Sequence, residues 1–170
     1  DGMNVLIKGR ITLYETRGSY QIDVFEILPS GVGELQIAFE KLKNKLYEEG
    51  LFDDRYKKPL PLYPERIALI TSETGAAFHD FIKVTENRYP LVKILLIPAL
   101  MQGANSAVSI CNAIIKANSS EYRSDIIVIT RGGGAIEDLW TFNEEKVARA
   151  IFNSKIPVVS AIGHEVDFTI

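Results

Sequence analysis

Cysteine is almost absent from this sequence, which has one, Cys111, among 170 residues. A single thiol excludes a disulfide within the chain, so the sequence suits a reducing compartment, most simply the cytoplasm. We interpret Cys111 as a small buried hydrophobe inside a helical stretch at residues 107–117.

Long apolar runs and an excess of positive charge are also missing. No apolar run approaches the roughly 20 residues that span a bilayer, and no signal peptide is visible, so we expect no membrane partner. The formal net charge is −3, so no overall basic field attracts nucleic acid, and any such binding must rely on local charge. The chain begins at Asp1 rather than Met, and we expect its natural N-terminus to lie upstream.

The first part of the chain has the pattern of a β-hairpin followed by a helix. Residues 5–14 and 20–27 are predicted to pair as antiparallel strands around a turn that contains Gly18. A lone hairpin is only marginally stable, so we expect a further sheet, a partner or the rest of the chain to cover it. Residues 33–50 have helical periodicity, and residues 53–64 are charged, contain proline and are predicted to form an extended linker.

The second part of the chain alternates strands with helices. The predicted strands are 66–71, 92–98, 125–130 and 156–162, and the predicted helices are 75–88, 106–118, 135–139 and 143–152. This alternation predicts the α/β class, with a small parallel sheet, right-handed crossovers and flanking helices.

Two of these strands end in residues that favour a ligand site. The β-branched run at 125–130 is followed by Arg131 and then by the glycine triplet 132–134. Consecutive glycines cost entropy and are tolerated where the backbone turns sharply or approaches a ligand, and arginine offers a forked charge that suits phosphate or carboxylate. The strand at 156–162 leads into His164 and Asp167. In open α/β sheets, ligands bind at the carboxyl ends of the strands.

Motifs along the chain follow the pattern of one known family. They are Ile11-Thr12-Leu13-Tyr14-Glu15 with Arg17-Gly18 and Tyr20-Gln21, Gly50-Leu51-Phe52-Asp53, Tyr56-Lys57-Lys58-Pro59-Leu60-Pro61, Thr71-Ser72 with Thr74-Gly75-Ala76-Ala77, His79-Asp80, Arg131-Gly132-Gly133-Gly134 with Glu137-Asp138-Leu139-Trp140, Phe142-Asn143 with Glu145, and Gly163-His164-Glu165 with Asp167. In this order they resemble the large subunit of exonuclease VII, the bacterial nuclease for single-stranded DNA, over nearly the whole chain.

This resemblance implies a domain organisation and a set of partners. Residues 1–30 are expected to be the C-terminal part of an OB-fold, 31–64 a helix and linker, and 65–170 the catalytic α/β core, truncated on its C-terminal side. The first OB strands and the helical C-terminal region that binds the small subunit are expected to be absent. The implied activity is that of an exodeoxyribonuclease, which hydrolyses single-stranded DNA from both ends to short oligonucleotides.

The resemblance also implies the site residues. The family's active-site residues correspond to Asp80, Arg131, His164 and Asp167. The expected substrate-binding residues are Thr71, Ser72, Gly132, Gly133 and Gly134. No metal ligand is assigned and no cofactor is expected to bind tightly, although Mg²⁺ is expected to assist once DNA is present. One departure is Ala135, where the family usually has serine, so a hydroxyl role at that position is in doubt.

Phosphodiester hydrolysis requires a positioned water, stabilisation of charge on the phosphate oxygens and a proton for the leaving oxygen. Arg131 and the glycine N–H groups can stabilise the charge, and His164 can transfer the proton, since histidine exchanges protons near neutral pH. Asp167 is predicted to orient the imidazole or bind a metal ion. Asp80 is predicted to orient the water or share a cation.

Each residue also has a purely structural interpretation. Arg131 can form a salt bridge at the strand end, His79 and His164 can be structural, and Glu137 and Asp138 can be charges at a helix N-terminus. Two rival functions remain: a nucleotide- or sugar-phosphate-binding α/β enzyme, and a non-catalytic module that binds single-stranded DNA. A dinucleotide site is disfavoured because the glycines lack the spaced fingerprint.

Overall fold

The computed structural model describes residues 5–14, 19–29, 32–164 and 167–170. The chain divides into two compact units, residues 1–41 and 42–170, which are described separately below. A long helix, α1 (Val32–Glu48), runs across the division. Among the helices of the described residues, none has the length and apolarity that a membrane span requires.

The first unit contains an antiparallel hairpin of β1 (Val5–Tyr14) and β2 (Ser19–Pro29). The predicted hairpin is therefore confirmed, while its predicted turn at Gly18 lies outside the described residues. Ile11 lies opposite Ile22 in the register, and these side chains are 73% and 57% exposed. The hairpin thus presents β-branched apolar side chains to solvent.

The second unit is a parallel sheet flanked by helices, which confirms the predicted α/β class. Its strands are β3 (Arg66–Thr71), β4 (Lys93–Pro98), β5 (Ile126–Arg131) and β6 (Val158–Ile162), in the order β4-β3-β5-β6 and all parallel. Its other helices are α2 (Ala76–Arg88), α3 (Ser106–Ala117), α4 (Ile136–Leu139) and α5 (Glu145–Phe152), with short 3-10 turns at Asp54–Tyr56 and Trp140–Asn143.

Alternating strand residues supply two cores, one on each face of the sheet. Ile70 and Ile129 pack with Ile110 of α3 on one face. Leu69 packs with Phe78 of α2 on the other face. Helix α2 leads from β3 to β4 along one face of the sheet. Helix α3 leads back from β4, past β3, to β5 along the opposite face. Such a reversal opens a crevice at the carboxyl ends of the two neighbouring strands, where α/β proteins bind ligands.

Predicted and observed element boundaries differ by up to two residues, and two of the differences have a clear local cause. The last helix begins at Glu145 rather than residue 143, because Trp140–Asn143 forms a 3-10 turn with Phe142 buried in the core. The last strand begins at Val158, just after Pro157, which has no N–H to contribute to the ladder. The carbonyl of Pro157 still accepts the N–H of Ile127 at 2.9 Å.

The start of the predicted linker, residues 53–64, forms a capped 3-10 turn and packs against α5. Asp53 accepts the backbone N–H of Arg55 at 3.4 Å and so caps the 3-10 turn. The ring of Tyr56 packs edge-on against Phe152, with the ring centroids 5.2 Å apart. The domain boundaries at residues 30 and 64 stay predictions.

Cys111 behaves as the sequence indicated, as a small side chain packed among its neighbours. It is half-buried at the edge of the larger core, and its thiol donates to the carbonyl of Lys146 at 3.4 Å. Burial raises the pKa of the Cys111 thiol, so it stays protonated and unreactive at neutral pH.

An ion-pair network joins the end of α1 to α5 within the second unit. The Glu145 carboxylate lies 2.7 Å from Nζ of Lys45 and 2.6 Å from Nη2 of Arg149, and Arg149 also reaches Glu49 at 2.7 Å. The hydrogen bond from Lys45, followed by that from Arg149, lowers the pKa of Glu145.

This lowered pKa predicts an acid-sensitive contribution to stability. The contribution is complete above the unfolded pKa of glutamate, about 4.3, and is lost as the pH falls through the lower folded value. We expect Glu145→Gln to lower the urea midpoint at pH 6 and to have a smaller effect at pH 3. Glu121→Gln is the matched control, since Glu121 is exposed and has no ion pair among the described residues. An equal loss at both pH values would contradict the prediction.

Candidate active site

The crevice at the switch between β3 and β5 holds a cavity of about 400 Å³. Thr71 and Ser72 contribute the carboxyl end of β3, and Arg131 contributes that of β5. The cavity is lined by Thr71, Ser72, Gly75, Ala76, Ala77, Ala99, Leu100, Met101, Gln102, Arg131, Gly132 and Gly133. Its walls therefore combine small and apolar side chains with a few polar groups, as ligand sites generally do.

The guanidinium of Arg131 is the main charge on this cavity. Its side chain is only 13% exposed. Nη2 donates to Oε1 of Gln102 at 3.0 Å and lies 3.6 Å from Oδ2 of Asp138. Nη1 is buried and has no hydrogen-bond partner among the described residues. Since buried donors are nearly always paired in native structures, this unpartnered nitrogen is an exception that calls for a functional explanation.

The glycine triplet fits closely between two of the predicted site residues. The imidazole of His164 lies where a Cβ on Gly133 would be, so any side chain at Gly133 must displace that ring. A Cβ on Gly134 would lie 3.0 Å from Nη1 of Arg131, whereas one on Gly132 would meet nothing within 4 Å. Gly133 and Gly134 thus allow the imidazole and the guanidinium to approach the same loop.

A tight turn after β6 holds His164 and Asp167 together. Oδ2 of Asp167 accepts the backbone N–H of His164 at 2.8 Å, and the Asp167 N–H donates to the His164 carbonyl at 2.9 Å. The same Oδ2 lies 3.6 Å from Nδ1 of the imidazole. Gly163 has φ of +73°, and a Cβ there would lie 2.5 Å from that of Asp167, so the turn requires glycine.

The imidazole of His164 remains accessible, with 72% of the side chain exposed, while the Asp167 side chain is 20% exposed. Asp167 can therefore orient the backbone of the turn. It can also orient the imidazole ring of His164 from the side of Nδ1. The ring itself is free to reach a substrate. Glu165, between the two residues, lies outside the described residues.

Of the predicted residues, Thr71, Ser72, Arg131, Gly132 and Gly133 line the cavity, whereas Gly134, His164, Asp167 and Asp80 do not. Arg131 and His164 meet at the glycine triplet, and Thr71 and Ser72 line the adjoining cavity. Asp80 is exposed on α2, does not line the cavity, and has no hydrogen bond or ion pair among the described residues. Asp80 lies one helical turn after Ala76, which lines the cavity, so the two residues share one side of α2.

The structural interpretations have mixed outcomes. Asp138 is in the first turn of α4, as a helix N-terminal charge would be, and it also contacts Arg131. The salt bridge expected in the structural interpretation of Arg131 is therefore present through Nη2. Nη1 has no partner among the described residues. His79 is exposed beside the ring of Phe78, at a centroid distance of 5.3 Å.

Sequence reasoning missed the loop after β4, which supplies Leu100, Met101 and Gln102 to the cavity. The signal was available, because the rule that ligands bind at the carboxyl ends of strands applies to this strand as well. The second strand end was overlooked because Ala99 to Met101 is apolar and lacks a titratable group.

The described residues do not form a protein cage for a metal ion. No group of three or more His, Cys, Asp or Glu side chains among them could hold one. The side-chain oxygen of Asp167 nearest the imidazole already accepts the His164 N–H. Magnesium prefers octahedral oxygen ligation and keeps several waters, so any ion here would need ligands from substrate and solvent.

Comparison with known proteins fits this site. The family model described as "Exonuclease VII, large subunit" matches residues 51–170, which is most of the chain. The chain belongs to the exonuclease VII large subunit family. The match includes every candidate catalytic and substrate-binding residue considered above.

Relatives of this family member match it from end to end. The exodeoxyribonuclease 7 large subunits of Bacillus subtilis (strain 168) and Geobacillus kaustophilus (strain HTA426) are each 55% identical over all 170 residues. That of Thermoanaerobacter pseudethanolicus is 52% identical over the same span. The chain covers 38% of the first two relatives and 42% of the third.

Proposed function

We propose that this chain carries the catalytic centre of an exodeoxyribonuclease that hydrolyses phosphodiester bonds of single-stranded DNA to short oligonucleotides, from both ends. The observation that carries the proposal is the buried, unpartnered Nη1 of Arg131 at a cavity whose glycine loop also touches His164. A forked cation next to the backbone N–H groups of the glycine loop suits a phosphate, and an accessible imidazole suits proton transfer.

The arrangement supports a division of roles. Nη1 of Arg131 and the N–H groups of the glycine loop bind the phosphate oxygens and stabilise the charge that develops on them. His164 donates a proton to the leaving oxygen, with Asp167 fixing the turn that presents the imidazole. For Asp80, which does not line the cavity, the role of positioning the attacking water rests on the family resemblance and not on the arrangement. Thr71 and Ser72 bind the substrate next to the phosphate.

The partners follow from the family. We propose that the substrate is single-stranded DNA and that a small subunit binds a C-terminal region of the large subunit that lies outside this chain. We also propose that the enzyme works in the cytoplasm, which agrees with its single, unpaired cysteine.

A digestion assay tests the function. A full-length large subunit that contains this chain is assembled with the small subunit and given oligonucleotides labelled at the 5′ or the 3′ end. Release of short labelled products from both substrates, with duplex DNA intact, is the expected result. Binding without cleavage would favour a single-strand-binding module. Cleavage of mononucleotides or sugar phosphates in place of DNA would favour the other α/β enzyme.

The metal requirement is a separate prediction. We expect no tight magnesium site without DNA, because the phosphate has to supply ligands that the protein does not. Calorimetric titration of the DNA-free protein with MgCl₂ should therefore show no saturable binding in the micromolar range, while magnesium should increase turnover once DNA is present. A micromolar site that disappears in Asp167→Ala would overturn this and indicate a metal-activated water.

A further inference from the structure

The two terminal nitrogens of Arg131 have different surroundings in the structure. Nη2 is held by Gln102 at 3.0 Å and faces Asp138 at 3.6 Å. Nη1 is buried and has no partner among the described residues. A guanidinium is planar, so fixing Nη2 also fixes where Nη1 points.

Gln102 is well placed to impose that orientation. It follows Met101, which is buried, and precedes Gly103, whose carbonyl accepts both the N–H and the hydroxyl of the fully buried Ser106. Gly103 itself has φ of +92°, a conformation that favours glycine. The side chain of Gln102 therefore extends from a backbone that is anchored on both sides, and its reach to Arg131 is built into the fold.

The chemistry of an amide also suits this position. The amide oxygen accepts a hydrogen bond without neutralising the guanidinium, whereas a carboxylate so close would compete with the phosphate for the cation. Asp138, a carboxylate that faces Arg131, is at the longer distance of 3.6 Å and is 47% exposed. The charge of Arg131 thus remains available to the cavity.

We propose that Gln102 is a positioning residue for DNA hydrolysis, whose side-chain oxygen holds Nη2 of Arg131 so that Nη1 faces the substrate phosphate. This inference rests on the proposed nuclease function. Gln102 acts through Arg131, so its removal matters only while the arginine is present.

A double-mutant cycle tests this directly, in the full-length large subunit assembled with the small subunit. Gln102→Ala should lower kcat on single-stranded DNA by about 10- to 100-fold, since small misplacements of a catalytic group have effects of that order. In an Arg131→Lys background the same change should cause little further loss. Single-turnover measurements with excess enzyme keep the slow rates measurable. Gln36→Ala, an exposed glutamine on α1 that pairs with Glu40, is the control and should leave turnover unchanged.

Gln102→Glu supplies a second readout. It keeps an acceptor for Nη2 but adds a negative charge beside the phosphate site. We expect kcat to recover relative to Gln102→Ala, while KM for DNA rises and becomes more sensitive to salt.

The outcomes separate the inference from the function. If the unsubstituted enzyme does not degrade single-stranded DNA, the proposed function is wrong. If it does and Gln102→Ala retains full turnover, or loses the same factor in both backgrounds, Gln102 does not act through Arg131. A Gln102→Glu variant whose KM for DNA does not rise would contradict the placement of Gln102 beside the phosphate site.

Discussion

Arg131→Lys should lower turnover on single-stranded DNA by about 10²- to 10³-fold, or roughly 3–4 kcal/mol of transition-state stabilisation. Lysine keeps the positive charge but has one nitrogen in place of a planar fork. In the structure, one guanidinium nitrogen contacts Gln102 and Asp138, while the other is buried without a partner among the described residues. A single ammonium group cannot make both sets of contacts.

The measurement is kcat and KM for the variant in the assembled full-length enzyme. Thermal unfolding of the variant chain should stay close to that of the unsubstituted chain. Arg88→Lys is the matched control, because Arg88 is exposed in the last turn of α2 and has no ion pair among the described residues. Turnover of Arg131→Lys near the wild-type rate would show that Arg131 does not stabilise the transition state.

Gly133→Ala should be the second most damaging change, with a loss in kcat on the order of 10²-fold. The added methyl group would overlap the imidazole of His164, so the ring has to swing away from the loop. The φ angle of Gly133 is not in the left-handed region, so backbone strain is not the cause of the loss.

The position of the imidazole can be followed separately from activity. The chain has only two histidines, His79 and His164, so their ring signals are simple to assign by NMR. Gly133→Ala should shift the His164 signals and leave those of His79 in place. Gly132→Ala controls for the methyl group itself, since a Cβ there meets nothing within 4 Å, and it should leave both rings unmoved. Unchanged His164 signals in Gly133→Ala would contradict the proposed contact.

Periodicity and turn chemistry alone predicted most of the α/β fold. Residues 67–70 of β3 and 126–129 of β5 are all apolar because both faces of a central parallel strand are buried. Boundaries were less certain where local geometry competes with periodicity, as at Pro157 and at the 3-10 turn before α5. The alternation of residues predicted the hairpin strands, but no residue pattern predicted what covers their apolar side chains.

The sequence by itself determined which residues are candidates for the site. An arginine followed by three glycines, and a histidine followed three residues later by an aspartate, are patterns that local chemistry and family resemblance can identify. The turn that joins His164 to Asp167 is equally local, since it closes over four residues with glycine at its start.

Only the tertiary structure decided which groups meet. Arg131 and Gln102 are 29 positions apart; Arg131 ends β5, whereas Gln102 lies in the loop after β4, and β3 separates those two strands. Their contact depends on the strand order and on which faces α2 and α3 cover, and no local pattern encodes either. Asp80 shows the reverse case: it belongs to a sequence motif of the family, but the fold does not bring it into the cavity. Sequence spacing fixes neighbours along one element, whereas contacts between elements follow from how the whole sheet packs its core.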